Sequence, residues 1–304
     1  MRTESDNGNI LYQFKVEKEA PLLEFLYDVL KQQSKSNVKG YLRRGQVTVD
    51  SKVVTAFDWS LHKGERVTIL RKGEKGKSVM PLKGIKVIYE DRYLIVIVKD
   101  AGVRTMAMKG GDINNGTPTA FSLVSTYLRR DNPYSKAYVV HRLDQKTSGV
   151  LMFAKDEKTK DMLRDNWDKF IKDRCYVAVL EGVPSQSEGR IESWLTENQQ
   201  TRKVYSSYTD NGGKRAITNY EVVDTRNGYS FVVFHLETGR KNQIRVHASS
   251  CLGCPVAGDV KYGAISDPIG RLALHARAIT FRHPYSSKIM TFDTGAPSWW
   301  KSEK

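Results

Sequence analysis

Three stretches of the chain gather polar side chains between apolar runs. The first, residues 138–155, reads Tyr-Val-Val-His-Arg-Leu-Asp-Gln-Lys-Thr-Ser-Gly-Val-Leu-Met-Phe-Ala-Lys. Its ends read as strands, which leaves His141, Arg142, Asp144, Thr147 and Ser148 on a loop between core elements, a favoured place for catalytic groups. A short carboxylate such as Asp144 can serve as a nucleophile or as a base. Asp144, Thr147 and Ser148 equally suit the capping of turns, and the residues alone leave both roles open. The second stretch, residues 236–247, packs Arg240, Lys241, Asn242, Gln243 and Arg245 beside an apolar run. Gln243, Arg245 and His247 alternate with Ile244 and Val246, a period of two that predicts a strand with the three polar residues on one face. Arg245 on a cleft-facing side would need an anionic partner, for which Asp144 is a candidate; a solvated charged face is the other reading. The third stretch, residues 174–182, is strand-like with Tyr176 near its start, where a tyrosine by itself fits a core or edge position.

Elements able to position these groups follow from the hydrophobic patterning. From Gly84 onward, strand-like runs fall at 85–89, 94–98, 150–154, 176–180, 218–223, 231–236 and 278–281, with helices at 119–130 and 156–171. Strands on variable loops with few helices predict an α+β domain around a mixed, largely antiparallel sheet. No internal repeat, phosphate-binding Gly-rich loop or dinucleotide fingerprint is present. Ahead of this domain, a helix near Pro21 carries Leu22, Leu23, Leu26, Val29 and Leu30 on one face. A second carries Val38, Tyr41 and Leu42 among Lys39, Arg43 and Arg44, and Gly45 is placed to stop it. Asp50-Ser51 joins two strand-like runs as a two-residue hairpin turn, and a further strand follows at 66–69. Residues 71–83, RKGEKGKSVMPLK, have the composition of a flexible basic linker. The expected organisation is an N-terminal arm (1–19, with a possible strand at 11–16), a small α+β domain (20–70), the linker (71–83), the main domain (84–296) and a tail (297–304).

Lys and Arg number 49 against 34 Asp and Glu in 304 residues, a formal net charge of +15. That excess favours a polyanionic partner, nucleic acid being the commonest. No run approaches the ~18 apolar residues of a membrane span, and the polar N-terminus lacks a signal-peptide core, so a cytoplasmic protein with no membrane partner is expected. Cys175, Cys251 and Cys254 are too few and too odd in number for a disulfide framework. The C-x-x-C pair lacks the further ligands that complete the about four of a zinc site, so buried thiols and no metal are expected.

Taken together, the three stretches resemble the RluA-type family of pseudouridine synthases. Residues 141–149 match its H-R-L-D-x-x-T-S-G signature without a change, and residues 238–247 match T-G-R-x-x-Q-I-R-V-H. Arg174 and Tyr176 match the basic-x-Y-x-A-x-V-x-G strand. Lys214–Tyr220, Cys254–Asp259 with Tyr262-Gly263, Leu272–Ala276 and Phe281–Pro284 follow in the family's order, so the resemblance spans about residues 84–295. Residues 20–70, with Tyr41-Leu42-Arg43-Arg44-Gly45-Gln46-Val47-Thr48-Val49-Asp50, are similar to the S-four-like RNA-binding domain, a common companion in this family. The chain departs from the pattern at Val98-Lys99-Asp100-Ala101-Gly102, where the family often has N-K-P-A-G, and at Asn242, where it often has His.

The resemblance implies an isomerase that turns uridine in RNA into pseudouridine without cofactor, metal or guide RNA. Ribosomal RNA of the large subunit is the favoured substrate, with transfer RNA the alternative, and a monomer is the simplest expectation. Asp144 is then the catalytic carboxylate, as nucleophile or as a base at the ribose, Arg245 its ion-pair partner and Tyr176 the ring beside the uracil. The flipping that exposes the nucleotide costs a few kcal/mol. Arg142 reaches into the RNA, and Lys39, Arg43, Arg44 and Arg240 add contacts to it. His141, Thr147, Ser148 and Gln243 support the site.

Overall fold

The structure is a computed structural model that describes residues 10–71, 82–107, 117–130, 132 and 134–300. Most of the 71–83 linker, the first nine residues of the arm, residues 108–116 and the last four of the tail lie outside that set. The chain divides into two compact units, Met1–Lys83 with Val124–Lys136 and Gly84–Leu123 with Ala137–Lys304. The division therefore falls between Lys83 and Gly84 and again within one helix, between Leu123 and Val124.

In the first unit the order is β1 (Ile10–Lys15), β2 (Ala20–Pro21), α1 (Leu22–Val29), α2 (Lys35–Arg43), β3 (Val47–Val49), β4 (Lys52–Val53), β5 (Ser60–Leu61) and β6 (Arg66–Leu70). Four strands form a sheet in the order β1-β6-β3-β4, all antiparallel, and β2 pairs with β5. The expected arm is thus in part a strand, because Tyr12 and Phe14 pair with β6 and pack on the core. Leu22, Leu26, Val38 and Leu42 from the helices are buried against Val47, Val67 and Ile69. Each such side chain contributes about 1.5–3 kcal/mol through burial. Asp50 and Ser51 both adopt positive φ (46° and 67°), the backbone of the tight turn that matches strand twist.

After β6 the chain continues with β7 (Ile85–Glu90), β8 (Leu94–Lys99), α3 (Ala120–Leu128, the helix that the division crosses), β9 (Tyr138–Val139), β10 (Ser148–Ala154), α4 (Glu157–Asp165), α5 (Trp167–Phe170) and β11 (Ile171–Glu181). Then come β12 (Glu188–Glu197), β13 (Val204–Ser207), β14 (Lys214–Arg226), β15 (Tyr229–Leu236), α6 (Gln243–Val246), β16 (Leu274–Arg282) and β17 (Ile289–Asp293). One mixed sheet runs β13-β12-β14-β15-β11-β16-β10-β8-β7, with β17 on β16 and β9 on β10. The β10–β16 pairing is parallel and the others are antiparallel, which gives the α+β architecture with a mixed, largely antiparallel sheet. Every residue of β10 is buried, as its near-continuous apolar run requires of a strand covered on both faces. Asp156 caps α4 by accepting from the Thr159 amide at 2.8 Å. β12, β13 and β17 escape prediction from sequence: β17 has no buried residue, and Ser193 interrupts the apolar alternation of β12.

Candidate active site

The loop that enters β10 carries Asp144, and its backbone is clamped from the segment after β8. Thr105 Oγ1 donates to the Leu143 carbonyl at 2.8 Å and accepts from the Leu143 amide at 3.1 Å. Gly102 and Gln145 exchange two bonds, Gly102 N–H to the Gln145 carbonyl (2.8 Å) and Gln145 Nε2 to the Gly102 carbonyl (3.0 Å). Lys99 is fully buried, and its ammonium donates to the carbonyls of Asp100 (3.0 Å), Val103 (2.8 Å) and Gln145 (3.3 Å). Burial pushes the Lys99 pKa down to about 8, against the pull of Asp144 and Asp100. The segment that departs from the family pattern therefore still fastens the Asp144 loop.

Arg245 faces Asp144, but from a helix. Residues 243–246 form α6 and 247–251 a wider π-type turn, so the period-two reading is overturned. Asn242 enters it in the left-handed conformation (φ 54°), which asparagine tolerates better than most residues. Gln243 Oε1 then accepts from the Arg240 amide (2.9 Å) and Thr238 Oγ1 (2.9 Å), closing the turn ahead of the helix. Four residues apart on one helical face, Gln243 and His247 both bond Thr218 Oγ1 at 2.9 Å. Arg245 points elsewhere, which a strand would not allow.

Its guanidinium is shared between two carboxylates. Nε and Nη2 grip Asp259 at 2.6 Å each, and Nη1 reaches Asp144 Oδ2 at 3.3 Å and Asn242 Oδ1 at 3.3 Å. Asn242 Nδ2 donates in turn to the Tyr262 hydroxyl (2.9 Å), whose ring lies 5.0 Å from the guanidinium. Burial alone would lower the Arg245 pKa, but Asp259 and then Asp144 raise it, so it stays a cation. The Asp259 side chain is 2% exposed and that of Asp144 30%. Asp259 thus fixes the cation and leaves Asp144 the freer partner, and among the described residues Asp144 Oδ1 has no protein hydrogen bond.

Tyr176 stands in β11 where the pairing with β16 shifts register, and it lines the same cleft as Asp144. Burial raises its pKa, with Arg174 opposing and Asp144 adding, so the phenol is protonated at neutral pH. The cleft encloses about 910 Å³, toward the upper end of the ~300–1,000 Å³ common for ligand sites. Arg142 and Arg240 reach it as exposed cations; Arg240 Nε donates to the Arg215 carbonyl at 2.9 Å. His141 is a support: its Nε2 accepts from the Met152 amide at 3.0 Å, and burial, with Arg174 adding, pushes its pKa to about 3. The Thr147 amide donates to the Asp144 carbonyl (3.1 Å), and the Ser148 hydroxyl bonds His275 Nδ1 (2.8 Å). Lys39 and Arg44 belong to the first unit, where Arg44 lies over the Tyr41 ring at 5.3 Å; the Arg43 side chain lies outside the described residues. Cys175 and Cys254 are buried free thiols, and Cys251 is half-buried with its sulfur 3.6 Å from Ser206 Oγ.

Residues 93–250, just over half of the chain, match the family model described as RNA pseudouridylate synthase. The chain belongs to that family. It is 31% identical over 283 residues to the RNA pseudouridine synthase YhcT of Bacillus subtilis strain 168, covering 90% of each chain. To the ribosomal large subunit pseudouridine synthase D of Zymomonas mobilis it is 31% identical over 222 residues, covering 70% of this chain and 69% of that one. Among solved structures, human RNA pseudouridylate synthase domain containing 4 shares the fold, with a TM-score of 0.56 at 22% identity over 72% of this chain and 90% of that one. Membership in this synthase family makes the protein an isomerase that acts on RNA. Sequence reading gave no role to Asp259 or Lys99: an aspartate in a turn and a lysine at a strand end carry no local signal, and Asp259 stood only within one of the weaker family elements.

Proposed function

We propose that the chain isomerises uridine in large-subunit ribosomal RNA, with Asp144 as the catalytic carboxylate, without cofactor and without guide RNA. The observation that carries this is the pairing of Asp144 with Arg245, itself held by Asp259, where Asp144 lines a cleft shared with cations and Tyr176. The guanidinium at 3.3 Å orients the carboxylate toward the cleft, as attack at C1′ or removal of a ribose proton requires. The C1′–N1 bond breaks, the base turns against Tyr176, C5 bonds to C1′, and the C5 proton leaves as N1 takes one up, so nothing is gained or lost overall. The uridine reaches Asp144 flipped from its stack, and Arg142 fills or braces the space it leaves. Names of relatives that act on the ribosomal large subunit support the choice of RNA. The first unit, with its two helices and hairpin, fits an S-four-like grip on phosphates through Lys39, Arg43 and Arg44, in a monomeric cytoplasmic enzyme.

Asp144→Ala should abolish tritium release from ribosomal RNA labelled at uridine C5 while RNA binding persists. Release at the wild-type rate would refute the assignment. Pseudouridine mapping of ribosomal RNA from cells with and without the gene should show at least one site that depends on it.

A further inference from the structure

We propose that Arg174 forms a phosphodiester-binding subsite in the wall of the cleft, taking the backbone phosphate beside the flipped uridine. This rests on the synthase reading above and names which part of the RNA this wall holds. Arg174 is 7% exposed and lines the cleft. Its Nη2 donates to the carbonyls of Leu236 and Glu237, both at 3.1 Å, and its guanidinium lies 5.7 Å from the Trp167 ring. Those contacts orient the group without neutralising it. Among the described residues no carboxylate is within ion-pair distance of Arg174, and its buried Nε has no hydrogen-bond partner.

Three other cations on this cleft are already paired. Arg164 holds Asp161 and Asp165, Arg215 holds Glu192, and Lys241 holds Glu197. Arg142 and Arg240 have no ion pair among the described residues, but water surrounds them. Arg174 alone of this set has lost most of its water without a carboxylate in ion-pair contact; burial disfavours its charged form, and Asp168 and Asp173 oppose that only from a distance. An anion entering the cleft repairs that imbalance, whereas a neutral base carbonyl does not.

Gly239 shows where the anion would sit. A Cβ at this position would lie 2.4 Å from Arg174 Nη1, so the absent side chain makes room for Nη1 where both residues line the cleft. A phosphodiester oxygen in that space would accept a charge-assisted hydrogen bond from Nη1. Asp144 and Tyr176 line the same cleft, which puts this phosphate next to the nucleotide that reacts.

The test measures binding of fluorescein-labelled decauridylate across a salt series by the full chain, Arg174→Met and Gly239→Ala. Losing one phosphate contact should weaken binding roughly tenfold at low salt and flatten the log–log salt slope by about 0.7. Gly239→Ala should change both in the same direction, because its methyl displaces the guanidinium end while the charge and the core remain. It answers the question even if Arg174→Met does not fold. On decauridylate with neutral methylphosphonate linkages, wild type and variants should bind alike. An unchanged slope in Gly239→Ala and Arg174→Met, or a penalty that persists in full on the neutral backbone, would overturn the proposal. Tritium release from C5-labelled ribosomal RNA by the wild type is read separately; its absence would refute the synthase reading and leave the slope comparison intact.

Discussion

Charge sharing governs the centre at the scale of residues. Arg245 spends two nitrogens on Asp259 at 2.6 Å and only one on Asp144 at 3.3 Å, so Asp259 fixes its position and Asp144 is the more loosely held partner. Lys99 adds a second buried cation behind the Asp144 loop, with its pKa pushed down to about 8. Below that pH the folded protein holds the proton; between about 8 and the ordinary lysine value only the unfolded chain does. From this group alone stability therefore rises with pH across that window, while the positive charge near Asp144 disappears. The rate of tritium release should accordingly fall above pH about 8, and Lys99→Met should have a lower rate without that alkaline limb. A pH–rate profile with the same limb in both proteins would exclude Lys99 as its source. Asp144, Tyr176 and Arg245 were legible in the sequence through their motifs, but Lys99 and Asp259 owe their roles to burial and distance, which no local pattern records.

At the scale of elements, the loop of Asp144 is aimed by the strand that follows it. Gly149 in β10 has φ 121°, and a Cβ there would fall 2.1 Å from the Ala276 carbonyl oxygen of β16. The parallel contact of β10 with β16, Ser148 opposite His275 and Gly149 opposite Ala276, depends on that missing side chain. Gly149→Ala should cost about 3 kcal/mol or more in urea unfolding and lower synthase activity with it. Equal stability would show that the two strands can part without loss. The helix at 243–246 teaches the opposite lesson about pattern. Alternation of polar and apolar residues over five positions satisfied a strand, yet Asn242 in left-handed geometry and the Gln243 cap on Arg240 started a helix. Periodicity is a weak guide where every residue of the run, as in α6, is buried.

For the whole molecule, acid is the condition to which the second unit is most exposed. Burial pushes His141 to about 3, and His247 and His275 to about 4, so all three are neutral in the fold. Unfolded, they protonate near pH 6.5. Their contribution is therefore complete above about pH 6.5 and is lost as pH falls toward 4, on the order of 3 kcal/mol for each shift of ~2.5 units. The urea midpoint should fall steadily through that window; a flat midpoint would mean that the rings gain protons without opening the fold. By itself the sequence determined the class of fold, the polyanionic partner and which residues to propose for the reaction centre, because strand composition, net charge and contiguous motifs are local or additive properties. Only the tertiary structure decided that Arg245 comes from a helix, that Asp259 and Lys99 stand around Asp144, and that Arg174 is buried with no carboxylate in ion-pair contact among the described residues. Those facts depend on which groups lose water together, and segments far apart in the chain settle that only when they pack.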